Sequence, residues 1–277
     1  MGMKIRRANR GDLIALKQLY DTSYRVVPRL GNWANCLKQN LFVVAEDRIG
    51  VRGALLAWPD ESPVAWVRLG VLDNVLPVDE WFDLAWPTVE RGLRQLGAES
   101  VLWMDHHEWA APILRQRGFK RFTDVITLTQ VDTSTSGSSG ATAQLRLAIV
   151  QDIDAIISTD HRAFTPHWWN GKDTIRDRIR RAISFTVALQ DQALVAYADA
   201  DISGSNGHIN RIAVDPDRQN QGIGALLLHT TLETLWQHHV KSITINTQRD
   251  NFPALRLYQN FGFAPVGDII TVWEYQL

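Results

Sequence analysis

The strongest constraint on how this chain can fold is that its two halves repeat each other. Ile5-Arg6-Arg7-Ala8, followed by Asp12-Leu13-Ile14-Ala15-Leu16, matches Leu145-Arg146-Leu147-Ala148, followed by Asp152-Ile153-Asp154-Ala155-Ile156, at a constant offset of 140. Gly118-Phe119 and Asp124-Val125-Ile126-Thr127 match Gly262-Phe263 and Asp268-Ile269-Ile270-Thr271 at an offset of 144. A drift of four residues between the two matches means the same order of elements with small loop changes. Between the copies, residues 132–142 are small and polar with no large apolar side chain, so they cannot anchor in a core and read as a linker. The sequence therefore predicts a tandem duplication, with one domain at 1–131, a Ser/Gly/Thr-rich linker at 132–143 and a second domain at 144–277.

Bulk chemistry narrows the function classes. The net charge is −1, from 29 basic and 30 acidic residues, which gives no electrostatic footprint for nucleic acid or an anionic membrane. One cysteine, Cys36, rules out an intrachain disulfide and any cysteine-based metal cluster. No His/Asp/Glu cluster suggests a metal either. With no apolar run of membrane-spanning length and no signal-peptide core at the start, a reducing cytoplasm is the expected home. Gly2 alone does not make a myristoylation signal, because Arg6 stands where that motif wants Ser or Thr.

The second half reads as strand 144–150, a helix capped by Asp152 and running to Ala163, and a helix at 173–183. Strands follow at 185–189, 193–202 and 208–214, then a helix at 224–239, a strand at 242–246, a helix at 253–260 and a closing strand at 269–275. This predicts an α/β (α+β) mixed sheet flanked by helices, in each of two tandem domains. Asp173, Arg176, Asp177, Arg178, Arg180 and Arg181 read as a solvated helix face, and Asp199 and Asp201 as a solvated strand face, with binding of a cationic acceptor as the alternative.

The chemistry concentrates in Ile212-Ala213-Val214-Asp215-Pro216-Asp217-Arg218-Gln219-Asn220-Gln221-Gly222-Ile223-Gly224-Ala225. A β-branched strand ends at an Asp-Pro turn, and a Gly-x-Gly loop feeds a helix. Glycine permits positive φ and close backbone approach, and the free N–H groups of a helix start converge on an anion. A diphosphate is the natural occupant. No Lys-Ser/Thr follows, as a nucleotide P-loop requires, and the third glycine of a dinucleotide fingerprint is missing.

This block resembles motif A of the GCN5-related N-acetyltransferases, Arg/Gln-x-x-Gly-x-Gly/Ala, through Gln219, Gly222 and Gly224. Downstream, Asn251-Phe252-Pro253-Ala254-Leu255-Arg256-Leu257-Tyr258, followed by Gly262-Phe263, resembles the family's motif B. The resemblance covers essentially all of the second half and implies acetyl-CoA as co-substrate with no metal. It implies that Ile212, Ala213 and Val214 bond the pantetheine arm. Gln219, Asn220, Gln221, Gly222, Ile223, Gly224 and Ala225 would hold the diphosphate, and Asn251 and Ala254 would line the far side. Tyr258 would protonate the departing thiolate, a role open to a phenol with a pKa of about 10. His208 stands where many relatives carry a glutamate base, and an imidazole with a pKa of about 6.5 is competent for that work. Asn246, where ribosomal-type members carry a glutamate, cannot take a proton.

His161, His167, Trp168 and Trp169 fall where the family varies with its acceptor, and could line an acceptor site or simply pack. In the first half, counting from Val71 as partner of Val214, Asp79 and Trp81 fall at the glycine positions, Leu114 replaces Tyr258 and His107 replaces Asn251. That half reads as a degenerate copy. The expected activity is acetyl transfer to a primary amine of a small molecule or a peptide N-terminus. An idle coenzyme-A-binding module, or use of another acyl-CoA, remains the alternative.

Overall fold

The computed structural model describes residues 2–28, 36–37, 41–60, 63–131 and 141–277. Most of the linker read from sequence, residues 132–140, lies outside the described residues. In chain order the first half holds β1 (Lys4–Arg7), α1 (Leu13–Thr22), β2 (Val26–Pro28), β3 (Phe42–Glu46), β4 (Val51–Pro59), β5 (Val64–Leu72), α2 (Val78–Gln95), β6 (Ser100–Asp105), α3 (Ala111–Gln116) and β7 (Lys120–Gln130). The second half holds β8 (Gln144–Leu147), α4 (Ile153–Ala163), α5 (Lys172–Arg181), β9 (Ser184–Gln190), β10 (Ala193–Ser203), β11 (Asn206–Val214), α6 (Ile223–Gln237), β12 (Ser242–Gln248), α7 (Phe252–Asn260) and β13 (Ala264–Gln276).

These elements form two compact units, Met1–Thr123 with Ile270–Leu277, and Asp124–Ile269. They differ from the halves 1–131 and 144–277 by one strand each. In unit 2, residues 125–130 of β7 pair with β12, and in unit 1, residues 271–276 of β13 pair with β6. The strand expected to close the second half at 269–275 thus largely completes the sheet of the first. Alternating apolar residues fix which face of a strand is buried, but not which edge it joins. Unit 1 has strand order β1-β3-β4-β5-β6-β13, and unit 2 has β8-β9-β10-β11-β12-β7. Each sheet has one parallel pair, β5 with β6 and β11 with β12, and is otherwise antiparallel.

The duplication extends to side-chain detail. Arg6 donates to both oxygens of Asp12 at 2.7 Å, and Arg146 to both oxygens of Asp152 at 2.6 and 2.8 Å. In each copy the guanidinium holds the carboxyl below its usual pKa. The second oxygen of each Asp accepts the backbone N–H three residues earlier, Asn9 or Ile149. Contrary to the sequence expectation, Asp152 does not cap the following helix with its side chain; it braces the turn that enters it. Gly118 and Gly262 both take positive φ, 88° and 80°, to end α3 and α7.

Apolar faces close each unit. In unit 1, Trp81, Phe82, Trp86 and Val89 of α2 pack on one face of the sheet, and Leu16 of α1 with Ala54, Leu56, Leu69 and Val71 on the other. In unit 2, Leu227, Leu228, Leu232 and Leu235 of α6 cover one face, and Ile153, Ile156, Ile157 and Ile175 of α4 and α5 the other.

Candidate functional site

The site begins with a bulge in β11. Asp199 pairs with Arg211 and Ala200 with Ile209, leaving Asn210 as the extra residue. A bulge bends its strand and ends regular pairing beyond it. Accordingly, β11 pairs with β12 only from Asn206 to Ile209. Past the bulge, Arg211, Ile212, Ala213 and Val214 pair with β10 on one side, and no strand among the described residues pairs with them on the other. Backbone donors and acceptors thus line an open slot, since alternate residues beyond Ile209 turn their N–H and C=O groups away from β10, where a ladder would otherwise satisfy them.

At the slot's end the chain turns into a helix. Asp215 caps a short turn by accepting the N–H of Asp217 at 2.9 Å, and the side-chain amide of Gln219 donates back to the carbonyl of Val214 at 3.2 Å. Asn220 and Gly222 take positive φ, 61° and 77°, and Gly222 is the first flanking residue of α6. The helix's opening bond runs from Leu226 N–H to Gly222 carbonyl, so the N–H groups of Ile223, Gly224 and Ala225 have no helical acceptor. A Cβ on Gly224 would meet only the methyls of Val214 and Leu257, each at 3.6 Å. The protein's own packing therefore does not demand glycine there. A polar cavity of about 410 Å³ adjoins this loop, between Arg218 and the β9–β10 turn.

Tyr258 of α7 is buried, 6% exposed, among Leu228, Ile245, Phe261 and Phe263. Burial pushes its phenol well above the usual tyrosine range, with Arg211 opposing weakly, so the group stays protonated at any physiological pH. Its hydroxyl makes no hydrogen bond among the described residues. Asn251 caps α7, accepting the Ala254 N–H at 3.4 Å and donating to Thr247 Oγ1 at 3.2 Å. Ala254 lies one turn before Tyr258, half-buried on the same helix.

His208 lies two residues before the bulge, paired across β11–β12 with Thr244. Its Nδ1 is 2.8 Å from Thr244 Oγ1, and the Thr244 hydroxyl donates to the Gly207 carbonyl at 3.2 Å. With that hydroxyl proton engaged, Nδ1 carries the imidazole proton and Nε2 keeps its lone pair. Burial lowers the pKa of His208, partly offset by Asp201, so the ring is neutral at pH 7.

Of the two acidic strand residues, Asp199 is not solvated, while Asp201 is half-buried. Asp199 is fully buried and held above its usual pKa by that burial. Asn210, the bulge residue, donates to Asp199 at 2.9 Å and to Asp201 at 2.8 Å, and Arg178 reaches Asp199 at 3.4 Å. Arg178 is thereby withdrawn from the solvated face predicted for α5. Sequence spacing could not find this cluster, because only the bulge turns Asn210 toward both carboxylates.

A second buried knot lies beside it. Asp160 of α4, with no exposure, accepts from Tyr197 Oη, from Arg211 Nε and Nη2 at 2.9 and 3.0 Å, and from the backbone and side chain of Asn170 at 3.0 and 3.2 Å. Arg211 also donates to the Trp168 carbonyl and stacks 3.8 Å over the Phe164 ring. His161 stacks on Trp169 at 4.1 Å. Of the aromatic residues singled out in sequence, His161 and Trp169 pack together, while Trp168 is held through its backbone.

In unit 1 the same positions are built differently. The β4–β5 bulge leaves Arg68 as its extra residue, which aligns Leu72, not Val71, with Val214. Only residues 73–77 separate β5 from α2, against 215–222 between β11 and α6, so the loop is shortened rather than substituted. Trp81 is therefore a helix core residue packed on Gly53, not a side chain at a glycine position, and Asp79 lies in the helix's first turn. Pro77, which has no N–H, stands at the cap. The slot side of β5 is occupied by β2, whose Val26, Val27 and Pro28 pair with Val71, Gly70 and Leu69.

Residues 152–263 match the acetyltransferase (GNAT) family. The chain is 31% identical over 129 residues to a mycothiol acetyltransferase of Brachybacterium faecium, covering 42% of this chain and 39% of that protein. It is 28% identical over 95 residues to the [ribosomal protein bS18]-alanine N-acetyltransferase of Escherichia coli, covering 34% and 64%. The chain thus spans about two fifths of the length of the mycothiol acetyltransferases it matches. Among solved structures, a tandem GNAT protein from the clavulanic acid biosynthesis pathway superposes with TM-score 0.69 at 16% identity, over 99% of this chain and 98% of that one. Residues 152–263 are thus similar to the acetyltransferase (GNAT) family, and the chain has the fold of tandem GNAT proteins.

Proposed function

We propose that unit 2 transfers an acetyl group from acetyl-coenzyme A directly to a primary amine, and that unit 1 is a degenerate copy. The observation that carries this is the open edge of β11 at residues 211–214, running into the N–H groups of Ile223, Gly224 and Ala225. Bound there, acetyl-CoA would supply the acetyl thioester. The strand edge would hold the pantetheine amides, and the helix start, with the partial positive charge of its dipole, the diphosphate.

The chain's own residues divide the proton work. Nε2 of His208, directly or through one water, takes the proton that leaves the amine nitrogen as its bond to the acetyl carbon forms. As the carbon–sulfur bond breaks, the Tyr258 hydroxyl gives its proton to the sulfur. The depressed pKa of the imidazole keeps the base unprotonated at pH 7, and the raised pKa of the phenol keeps the acid protonated. Asp201, half-buried and facing His208 across the strands, favours a cationic acceptor. The acceptor is a small-molecule amine or a peptide N-terminus, a range supported by similarity to both a mycothiol acetyltransferase and a ribosomal-protein alanine N-acetyltransferase.

The test is a product-mass screen of purified protein with acetyl-CoA against amines, aminoglycosides, amino acids and N-terminal peptides. A product heavier by one acetyl group is expected with at least one class. Coenzyme binding with no transfer to any of them would instead favour an idle binding module.

A further inference from the structure

Units 1 and 2 place the same segment in opposite arrangements. In unit 1 the chain after α1 enters the slot. β2 pairs with Leu69, Gly70 and Val71 of β5, Leu72 N–H donates to the Arg25 carbonyl at 3.2 Å, and Ser23 Oγ donates to the Leu72 carbonyl at 2.6 Å. In unit 2 the equivalent segment, at the offset of 140 that aligns α1 with α4, is Pro166, His167 and Trp168. There it forms a tight turn and leaves the edge of β11 open.

The side chains that differ between the copies explain the choice. Asp160, Tyr197 and Arg211 form the buried knot of unit 2; their counterparts by register are Tyr20, Ala54 and Leu69. With Ala54 and Leu69, that face of unit 1 is apolar, and β2 lies along β5 with Val26 packed on that face and Val27 on the opposite one. In unit 2, Arg211 binds the Trp168 carbonyl and Asp160 binds Asn170, so both ends of residues 168–170 are fastened to α4 and β11 outside the slot.

We propose that Asp160 and Arg211 are positioning residues that hold residues 164–170 out of the β11 edge and so keep the slot open. Without the knot the segment is free to pair with Arg211–Ala213 as β2 pairs in unit 1, closing the site on itself. This rests on the reading of the slot as a coenzyme site. A closed state populated about nine times in ten lowers apparent affinity about tenfold.

The test uses the full chain in three forms: unchanged, Arg211→Ala, and Arg211→Ala combined with Pro166→Gly, His167→Gly and Trp168→Gly. Coenzyme A is titrated calorimetrically into each, and amide exchange at Ile212 and Val214, the counterparts of Gly70 and Leu72, is measured without ligand. Arg211→Ala should weaken coenzyme A about tenfold and slow exchange at these two amides. The glycine replacements should restore both, because glycine resists strand pairing. Slower exchange is the discriminating sign, since simple loosening of the fold would make it faster. Unchanged affinity with unchanged exchange, or weakened affinity with faster exchange, would overturn the proposal. If Arg211→Ala does not fold, Arg211→Lys, which cannot span the carboxylate and the Trp168 carbonyl together, should move both readouts the same way by less. If the unchanged chain binds no coenzyme A, the slot reading fails, while the exchange data still decide whether the knot excludes the segment.

Discussion

Replacing Tyr258 with phenylalanine separates catalysis from folding, because the two effects differ widely in size. The hydroxyl has no hydrogen-bond partner among the described residues, and the ring is packed against Phe263 with centroids 6.0 Å apart. Phenylalanine keeps that packing. A typical intramolecular hydrogen bond contributes about 1 kcal/mol, so removing a hydroxyl that makes none should change stability by less than about 0.5 kcal/mol. Loss of a general acid lowers rates by about 10² to 10⁴, equivalent to roughly 3–5 kcal/mol at 1.36 kcal/mol per decade. Steady-state assays at saturating acetyl-CoA, with calorimetric binding and thermal unfolding on the same preparations, should show turnover down at least about a hundredfold. Coenzyme affinity and Tm should be nearly unchanged. Turnover within about threefold of the original would refute the acid role, and a large loss of binding with normal turnover would assign Tyr258 to positioning.

Two further outcomes follow from titrating groups. His208→Gln should abolish the acid limb of the rate profile and lower the maximum rate; because burial lowers this imidazole's pKa, the limb should lie below about 6.5, and a limb that merely tracks the pKa of the acceptor amine would exclude His208 as the base. In unit 1, Asp105 is 1% exposed, one of its oxygens has no partner, and burial pushes its pKa from 3.8 up to about 6. A carboxyl whose folded pKa is raised loses stability as pH climbs from about 4 through 6, here by roughly 3 kcal/mol for a shift of about two units. Asp105→Asn should therefore flatten that decline in urea unfolding followed by tryptophan fluorescence; an unchanged slope between pH 4 and 7 would contradict it.

Much of this was legible in the sequence, and what was not has definite causes. Element order and the glycine loop follow from periodicity and turn chemistry, which are local. The duplication was visible because Arg6 and Asp12 recur as Arg146 and Asp152 in the same bracing role. The exchange of β7 and β13 was hidden because both strands follow the same Gly-Phe turn and differ only in the edge they join. Asp199 and Arg178 looked solvated because the contacts that engage them, Asn210 and each other, come from separate elements and a one-residue bulge, which leave no periodic trace. Counting residues from Val71 placed Asp79 and Trp81 at the glycine positions, whereas the shorter 73–77 loop and the bulge at Arg68 shift the alignment. The plug in the first unit's slot, β2, is only Val26, Val27 and Pro28, too short for alternation to single out.

The central claim is that one slot, in unit 2, takes the coenzyme while its counterpart in unit 1 is filled by β2. Calorimetric titration of the full chain with acetyl-CoA tests this directly, with Gly222→Asp as the paired variant. That substitution puts a carboxylate beside the α6 amides, at a backbone φ of 77° that favours glycine. The account predicts a stoichiometry near one for the unchanged chain and no measurable binding for a folded Gly222→Asp. A stoichiometry near two, or undiminished affinity in that variant, would contradict it.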